Sequence, residues 1–399
     1  MPDPTRPPPL PYARQSLDRQ DIESVSRIAA SPWLTQGPEP ECFEKELCGV
    51  TGTAFAVVTS SGTAALHAAL QALGVGPGDE VLVPTLTFVG TANAVAACGA
   101  TPVLVDIDSE TLCLDPQAVA RASSSRTRGV VAVHYGGNPA DIDSIRDALP
   151  NHSFILEDAC HALGARYRDR PAGSLGEAAC FSFHPAKAIT SAEGGAITSS
   201  DPSLIARARR AAQHGIERSR EAFEGLDLPA AHRPEEEGAW VYEQHSLGLN
   251  YRLSDLHAAL GRSQLCKLAE FNERRASIAR RYNHAFADLD SVRLPTEPPN
   301  TQSAWHLYPI RLELEVLTKS RAAIFAELRD QGLGVQVHYI PIHLQPYYRQ
   351  SLGTRWGDLP AAEDAYLRLI SLPLFPAMSD SDVERVIATL RDCLARARR

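Results

Sequence analysis

The stretch AFAVVTSSGTAALHAALQALGVGPGDEVLVPTLTFVGTANAVAACGATPVLVD, residues 54–106, decides the architecture. A β-branched run, AFAVV, gives way to a helical stretch opening at Gly62. EVLVP then leads into a second helical stretch near Val89–Cys98, and PVLVD follows. Apolar runs of strand length separated by helix-length segments are the rhythm of parallel strands joined by crossover helices. The rhythm continues through GVVAV, FILED and CFSF to about residue 200. These runs are nearly continuous in apolar residues, as expected where helices cover both faces of a sheet.

Outward from this region the chain changes character. The first residues, MPDPTRPPPLPYARQ, predict an extended, mobile arm over 1–15. Asp18 to Ala30 reads as a helix with Ile22, Val25 and Ile28 on one side, stopped by Pro32. The acidic, proline-containing segment 217–245 lacks periodicity and reads as a surface loop. Leu256, Leu260, Leu268 and Phe271 predict one long helix after Ser254 that ends in the Ala285–Asp290 region. HLYPIRL, a helix around Ser320–Gln331, GVQVHYI and a last helix after Asp380 make a smaller α+β unit. The expected organisation is thus an arm (1–15), a large α/β unit (16–250), a linking helix (251–290) and a small α+β unit (291–399).

The chain has 399 residues, 44% of them hydrophobic and 22% charged, enough to bury a large core. Lys+Arg 39 against Asp+Glu 48 leaves a net charge of −9, which offers no basic field for a nucleic-acid backbone or an anionic membrane. Apolar runs such as Ala94–Cys98 fall far short of the roughly 20 residues that a membrane-spanning helix needs. With no signal-like start, the expectation is a cytoplasmic protein. Eight cysteines without a CxxC pair argue against a disulfide framework. The histidines lack metal-binding spacing, and Pro341 breaks any helix joining His338 and His343, so no metal is expected.

Three motifs carry chemistry. Ser60-Ser61-Gly62-Thr63-Ala64 lies where a strand meets a helix; the glycine lets backbone N–H groups approach an anion and the helix start favours negative charge. An ordinary N-cap would use the same residues. Asp158, in Glu157-Asp158-Ala159-Cys160-His161, emerges at the end of the buried run FIL, where open α/β sheets gather ligands; a capping Asp with a core His161 is the plainer alternative. Lys187 stands amid aromatic and small residues in Phe181-Ser182-Phe183-His184-Pro185-Ala186-Lys187 and precedes the Gly194-Gly195 turn. Desolvation there would lower its pKa and make it a carbonyl-directed nucleophile. An anion cradle, a carboxylate and a reactive lysine, in this order on one sheet, are the set that pyridoxal phosphate requires.

The sequence also resembles the sugar aminotransferases of the DegT/StrS group, within the fold type I pyridoxal-phosphate enzymes. The resemblance spans almost the whole chain: SSGTAALHAAL (60–70), GDEVLVPTLTFVGTANAV (78–95), LEDACHALGA (156–165), FSFHPAKAITSAEGGA (181–196), LGLNYRLSDLHAALG (247–261) and SLPLFPAMSD (371–380). It implies a large domain with a mostly parallel, seven-stranded-type sheet between helices and a smaller C-terminal α+β domain. WLTQGP (33–38), HGI (214–216) and GVQVHYIPIHLQPYYR (334–349) look like one branch, the UDP-4-amino-4,6-dideoxy-N-acetyl-beta-L-altrosamine transaminases of the pseudaminic acid route. Neighbouring branches act on other 4-keto nucleotide sugars.

Carried over residue by residue, the resemblance implies Lys187 as the lysine bonded to the cofactor and Asp158 as the partner of its ring nitrogen. Ser61, Gly62, Thr63 and Ser182 would hold the phosphate, Phe88 would stack on the ring, and His161 would sit by the phenolic oxygen. Asn250 would reach the phosphate of a neighbouring subunit, making a homodimer with shared active sites. Tyr12, Thr35, Gln36, His184, Arg252, His338 and Tyr339 would meet the nucleotide sugar or its surroundings, with L-glutamate as amino donor. One departure stands out: Thr190-Ser191-Ala192 replaces the family's usual two threonines and glycine. A silent pyridoxal-phosphate-binding regulator is disfavoured by Lys187 and Asp158. A sugar dehydratase is disfavoured too, because in the family that activity accompanies histidine in place of the lysine. A dinucleotide oxidoreductase would need GxGxxG where SSGTAA stands.

Overall fold

The computed structural model describes residues 8–226 and 240–399. Seven strands form the central sheet: β1 (Phe55–Thr59), β2 (Glu80–Pro84), β3 (Thr101–Val105), β4 (Thr127–Val133), β5 (Phe154–Asp158), β6 (Ala178–Ser182) and β7 (Gly195–Ser199). Their spatial order is β1-β7-β6-β5-β4-β2-β3. β3, β2, β4, β5 and β6 pair in parallel, and β7 runs against both of its neighbours. Helices Gly62–Ala72, Val89–Ala97, Pro116–Ala122, Ile142–Ala148 and Pro202–Ala211 accompany these strands.

Alternation along each strand divides the sheet between two cores. Val81, Val83, Val131 and Leu156 pack on one side with the helix Gly62–Ala72. Leu82, Val130, Ala132 and Ile155 pack on the other with Val119, Ile142 and Ile145. Both faces are therefore dry, and the strands read as continuous apolar runs because neither face can accept a polar side chain cheaply.

Beyond the sheet, Val292–Arg293, Tyr308–Leu312 and Leu369–Leu372 make a three-stranded antiparallel sheet. Helices Arg321–Asp330 and Asp380–Ala395 close its core through Ile324, Leu328, Val386 and Leu390. The GVQVHYI segment adds no strand; it touches this sheet at a single bridge, Gln336 to Ser371.

Two expectations need correction. The single helix expected to link the units is two helices, Asp255–Leu265 and Leu268–Phe286. The first ends at Cys266, and Lys267 (φ −101°, ψ −2°) turns the chain while Asp18 and Asp21 hold its ammonium at 2.6 and 2.8 Å. The described part of the proline-rich arm is fastened rather than loose. Leu10 exchanges backbone hydrogen bonds with Gly332 and Gly334, its side chain is buried in the small-unit core, and Tyr12 accepts from Leu374 N–H. Of the segment expected to be a surface loop, residues 227–239 lie outside the described residues. Its flanks, Ile216–Glu217 and Glu243–Gln244, pair antiparallel. All eight cysteines are free thiols, and no described helix is long and apolar enough to cross a membrane.

Candidate active site

The carboxyl ends of β1, β2, β4, β5 and β6, and the amino end of β7, open onto one cavity of about 670 Å³. This is where an open α/β sheet presents its strand-end loops to ligands. The small unit closes the opposite wall with His306, Gln336, His338 and Tyr339, and the arm adds Tyr12.

The cradle forms first. Ser61 is the N-cap of helix Gly62–Ala72: its Oγ accepts from Ala64 N–H at 3.1 Å, and its carbonyl accepts from Ala65 N–H. Gly62 and Thr63 precede that first helical bond, so their N–H groups are left for an anion at the positive end of the helix. A Cβ on Gly62 would stand 2.8 Å from Ser182 Cβ and 3.2 Å from Cys160 Sγ, so only glycine leaves the cradle open. Gly195 answers the same need from β7, because a Cβ there would stand 2.4 Å from Ser61 carbonyl oxygen. The cap reading and the anion reading are compatible: the Ser61 hydroxyl makes the cap, and Gly62 and Thr63 remain free to bind.

The two acids of Glu157-Asp158 part company because successive side chains of a strand face opposite ways. Glu157, fully buried, accepts from Gly173, Leu175 and Gly176 N–H at 2.8, 2.7 and 3.0 Å and pairs with His134 Nε2 at 2.9 Å. It ties β5 to the loop before β6. Asp158 lines the cavity instead, its Oδ2 accepting from Thr91 Oγ1 at 2.8 Å and its Oδ1 from Cys160 N–H at 3.3 Å.

Lys187 enters from the loop between β6 and β7. Its N–H bonds to His184 O, and its carbonyl accepts from Arg275 Nη2 at 3.2 Å, which fixes the backbone behind the side chain. Burial pulls the amine below the ordinary lysine range, with the Asp158 charge acting in the opposite sense. A larger neutral fraction is what a nucleophilic or proton-accepting amine needs. Cys160 stays a thiol, since burial pushes its pKa well up.

Above the acid lies a patch of neutral histidines. His161 Nδ1 accepts from Gly136 N–H at 3.3 Å, which puts its proton on Nε2, 3.2 Å from Tyr339 Oη. Its ring lies 4.2 Å from that of His306. Burial holds His161 and His306 well below the usual histidine value and lowers His338 to about 4. Phe88, the N-cap of helix Val89–Ala97, leaves 58% of its surface exposed and presents its ring to the cavity.

Twelve of the residues singled out in the sequence meet here: Tyr12, Ser61, Gly62, Thr63, Phe88, Asp158, His161, Ser182, His184, Lys187, His338 and Tyr339. Four do not. Thr35 and Gln36 sit on an exposed turn fastened to Asp255 through Gly37 and Glu39 N–H. Asn250 is exposed and bridges Gln213, and Arg252 bridges Thr59. Sequence reasoning overlooked Thr87, Thr91, His306 and Gln336. His306 lay hidden in the apparent strand HLYPIRL, which starts only at Tyr308; the buried Trp305 before it adopts φ +46°.

The residues present fit pyridoxal phosphate: a glycine-opened anion cradle, a buried carboxylate, an exposed aromatic ring and a desolvated lysine face one cavity. Comparison with known proteins agrees. The sequence pattern of the DegT/DnrJ/EryC1/StrS aminotransferase family matches residues 15–391. The chain is 40% identical to the spore coat polysaccharide biosynthesis protein SpsC of Bacillus subtilis over 96% of each chain. Among solved structures it is similar to the putative sugar aminotransferase Spr1654 of Streptococcus pneumoniae in its PMP form, with TM-score 0.88, 29% identity and coverage of 97% and 99% of the two chains. It is also similar to Helicobacter pylori PseC, an aminotransferase involved in the biosynthesis of pseudoaminic acid, with TM-score 0.87, 30% identity and coverage of 97% and 100%. Fold, cavity and relatives thus agree that the chain belongs to the DegT/DnrJ/EryC1/StrS aminotransferase family and is a pyridoxal-phosphate-dependent sugar aminotransferase.

Proposed function

We propose that this enzyme moves the amino group of L-glutamate to carbon 4 of a UDP-linked 4-keto-6-deoxy-N-acetylhexosamine, giving UDP-4-amino-4,6-dideoxy-N-acetyl-beta-L-altrosamine. The observation that carries the reading is the chain-long likeness to PseC, joined to WLTQGP, HGI and GVQVHYIPIHLQPYYR. The second reading is a 4-keto sugar on another nucleotide; the 40% identity to SpsC, a spore coat polysaccharide biosynthesis protein, is compatible with either.

Bound pyridoxal phosphate supplies a carbonyl carbon that takes and gives the amino group, and a ring that accepts the electron pair released at the substrate carbon. The residues supply the rest. Gly62 and Thr63 N–H, with Thr63 and Ser182 hydroxyls, hold the phosphate. Asp158 keeps a negative charge against the ring nitrogen and so favours its protonated form. Lys187 would hold the cofactor through its Nζ and, once the donor's amine has taken that place, the free amine would accept the proton of the donor's α-carbon and hold it for return. His161, neutral with its proton on Nε2, donates toward the cavity without adding a charge. Tyr12, His184, His338 and Tyr339 would face the sugar nucleotide.

The exposed positions of Thr35, Gln36 and Asn250, and the half-buried position of Arg252 outside the cavity, support a homodimer in which these residues complete the partner's site. Mixing two inactive variants, Lys187→Ala and Asn250→Ala, should then restore activity that neither has alone; no recovery would refute the shared site. The substrate is tested with purified enzyme, L-glutamate and UDP-, dTDP- and GDP-linked 4-keto-6-deoxy sugars, following 2-oxoglutarate release and product mass. Turnover confined to the UDP-linked N-acetyl sugar is expected. Amination of only the dTDP or GDP sugars would overturn the reading in favour of the second.

A further inference from the structure

Thr91 donates its hydroxyl proton to Asp158 Oδ2 at 2.8 Å across 67 residues of sequence. Both side chains are buried, at 2% and 6% exposure, and both line the cavity. Thr91 lies in the first turn of helix Val89–Ala97, where its hydroxyl could have served the helix itself; its N–H already bonds to Phe88 O. A carboxylate can only accept, so the single hydroxyl proton of Thr91 is spent on Asp158. Thr87 Oγ1, 3.1 Å from Thr91 Oγ1, must then donate to it. The chain of bonds has one direction: Thr87 to Thr91 to Asp158. Each link polarises the next, and burial of all three groups keeps water from substituting.

We propose that Thr91, backed by Thr87, is the positioning residue that sets the rotation of the Asp158 carboxylate toward the cofactor's ring nitrogen. With Oδ2 held by Thr91 and Oδ1 held at 3.3 Å by Cys160 N–H, the carboxylate plane has a donor on each oxygen and cannot turn freely. The cradle fixes the far end of the cofactor, and this relay fixes the group that meets its ring. The proposal rests on the pairing of Asp158 with that nitrogen.

The test uses the full-length protein stripped of cofactor, with four variants: Thr91→Val, Thr91→Ser, Thr87→Val and, as reference, Asp158→Asn. Cofactor affinity is read by tryptophan fluorescence, and α-proton removal by the single-turnover absorbance change with L-glutamate alone, so the sugar acceptor does not enter. Thr91→Val removes a charge-assisted hydrogen bond and should weaken cofactor binding by about 10- to 100-fold, with a comparable slowing of the glutamate half-reaction. Thr91→Ser keeps the hydroxyl and should stay within about threefold of wild type, whereas a packing role would leave it as impaired as valine. Thr87→Val breaks the relay one bond further out, should show a smaller loss of the same kind, and serves if Thr91→Val does not fold. Wild-type behaviour of Thr91→Val beside a crippled Asp158→Asn overturns the relay alone. Wild-type behaviour of Asp158→Asn overturns the pairing on which it rests.

Discussion

His338 is 7% exposed, its Nδ1 lies 2.9 Å from Ser371 Oγ, and burial lowers its pKa from 6.5 to about 4. A histidine depressed in the folded state binds fewer protons there than in the unfolded chain over the window between those two values. Stability therefore rises with pH through that window and is lost on acidification. With 6.5 unfolded and about 4 folded, the linkage costs about 1.4 kcal/mol at pH 5.5 and less than about 0.1 kcal/mol at pH 7.5. The figure depends little on how deep the depression runs, because pH 5.5 already lies above the folded value. His161 and His306, each 6% exposed and held well below the usual histidine value by burial, act in the same direction, so the cofactor-free protein loses further stability at the lower pH. Urea unfolding of the cofactor-free enzyme at both pH values measures the total. His338→Gln keeps a hydrogen-bonding side chain of similar reach but cannot titrate, so its own loss between the two pH values should be smaller by about 1.3 kcal/mol. Equal losses in wild type and variant would refute the claim that His338 stays neutral in the fold.

Other consequences are as direct. Gly62→Ala should leave thermal stability within about 2 kcal/mol, because helix propensity gained offsets part of the clash with Ser182 and Cys160. The same change should weaken cofactor binding about tenfold or more, since one cradle N–H loses its approach to the anion; an unchanged titration would show that the cradle is not the phosphate site. Ala192 sits at φ +66°, the left-handed region in which an L side chain costs roughly 1–2 kcal/mol. Ala192→Gly should therefore stabilise by about 0.5–1 kcal/mol after the added chain entropy of glycine is subtracted, and a lower Tm would contradict this. Glu157→Ala strands two buried N–H groups, a half-buried one and His134, and should destabilise by about 3–5 kcal/mol in equilibrium unfolding.

The sheet was legible because its strands are buried on both faces, so one-dimensional apolar runs report three-dimensional position directly. Asp158, Lys187 and Gly62 were legible for a related reason: each sits where a strand ends, and strand ends are visible in sequence. Thr91 and His306 escaped because their roles depend on orientation. Thr91 occupies an ordinary first-turn position, and nothing local says that its hydroxyl faces an acid 67 residues away. His306 follows a buried tryptophan at φ +46°, a turn that no turn-forming residue marks. The arm misled for the opposite reason. Prolines predict a chain that makes no internal ladder, yet Leu10 and Tyr12 find backbone partners in Gly332, Gly334 and Leu374, which sequence adjacency cannot reveal. Periodicity ran through Cys266 and Lys267 because Leu268 and Phe271 keep the helical spacing, while Asp18 and Asp21 hold Lys267 at the turn from a distant helix. The arm's backbone partners and the ion pairs of Lys267 are thus contacts between distant segments that leave local spacing unchanged. The Thr87–Thr91–Asp158 relay belongs to that class: it stands or falls on measurement at Asp158, because the sequence around Thr91 would look the same if its hydroxyl pointed elsewhere.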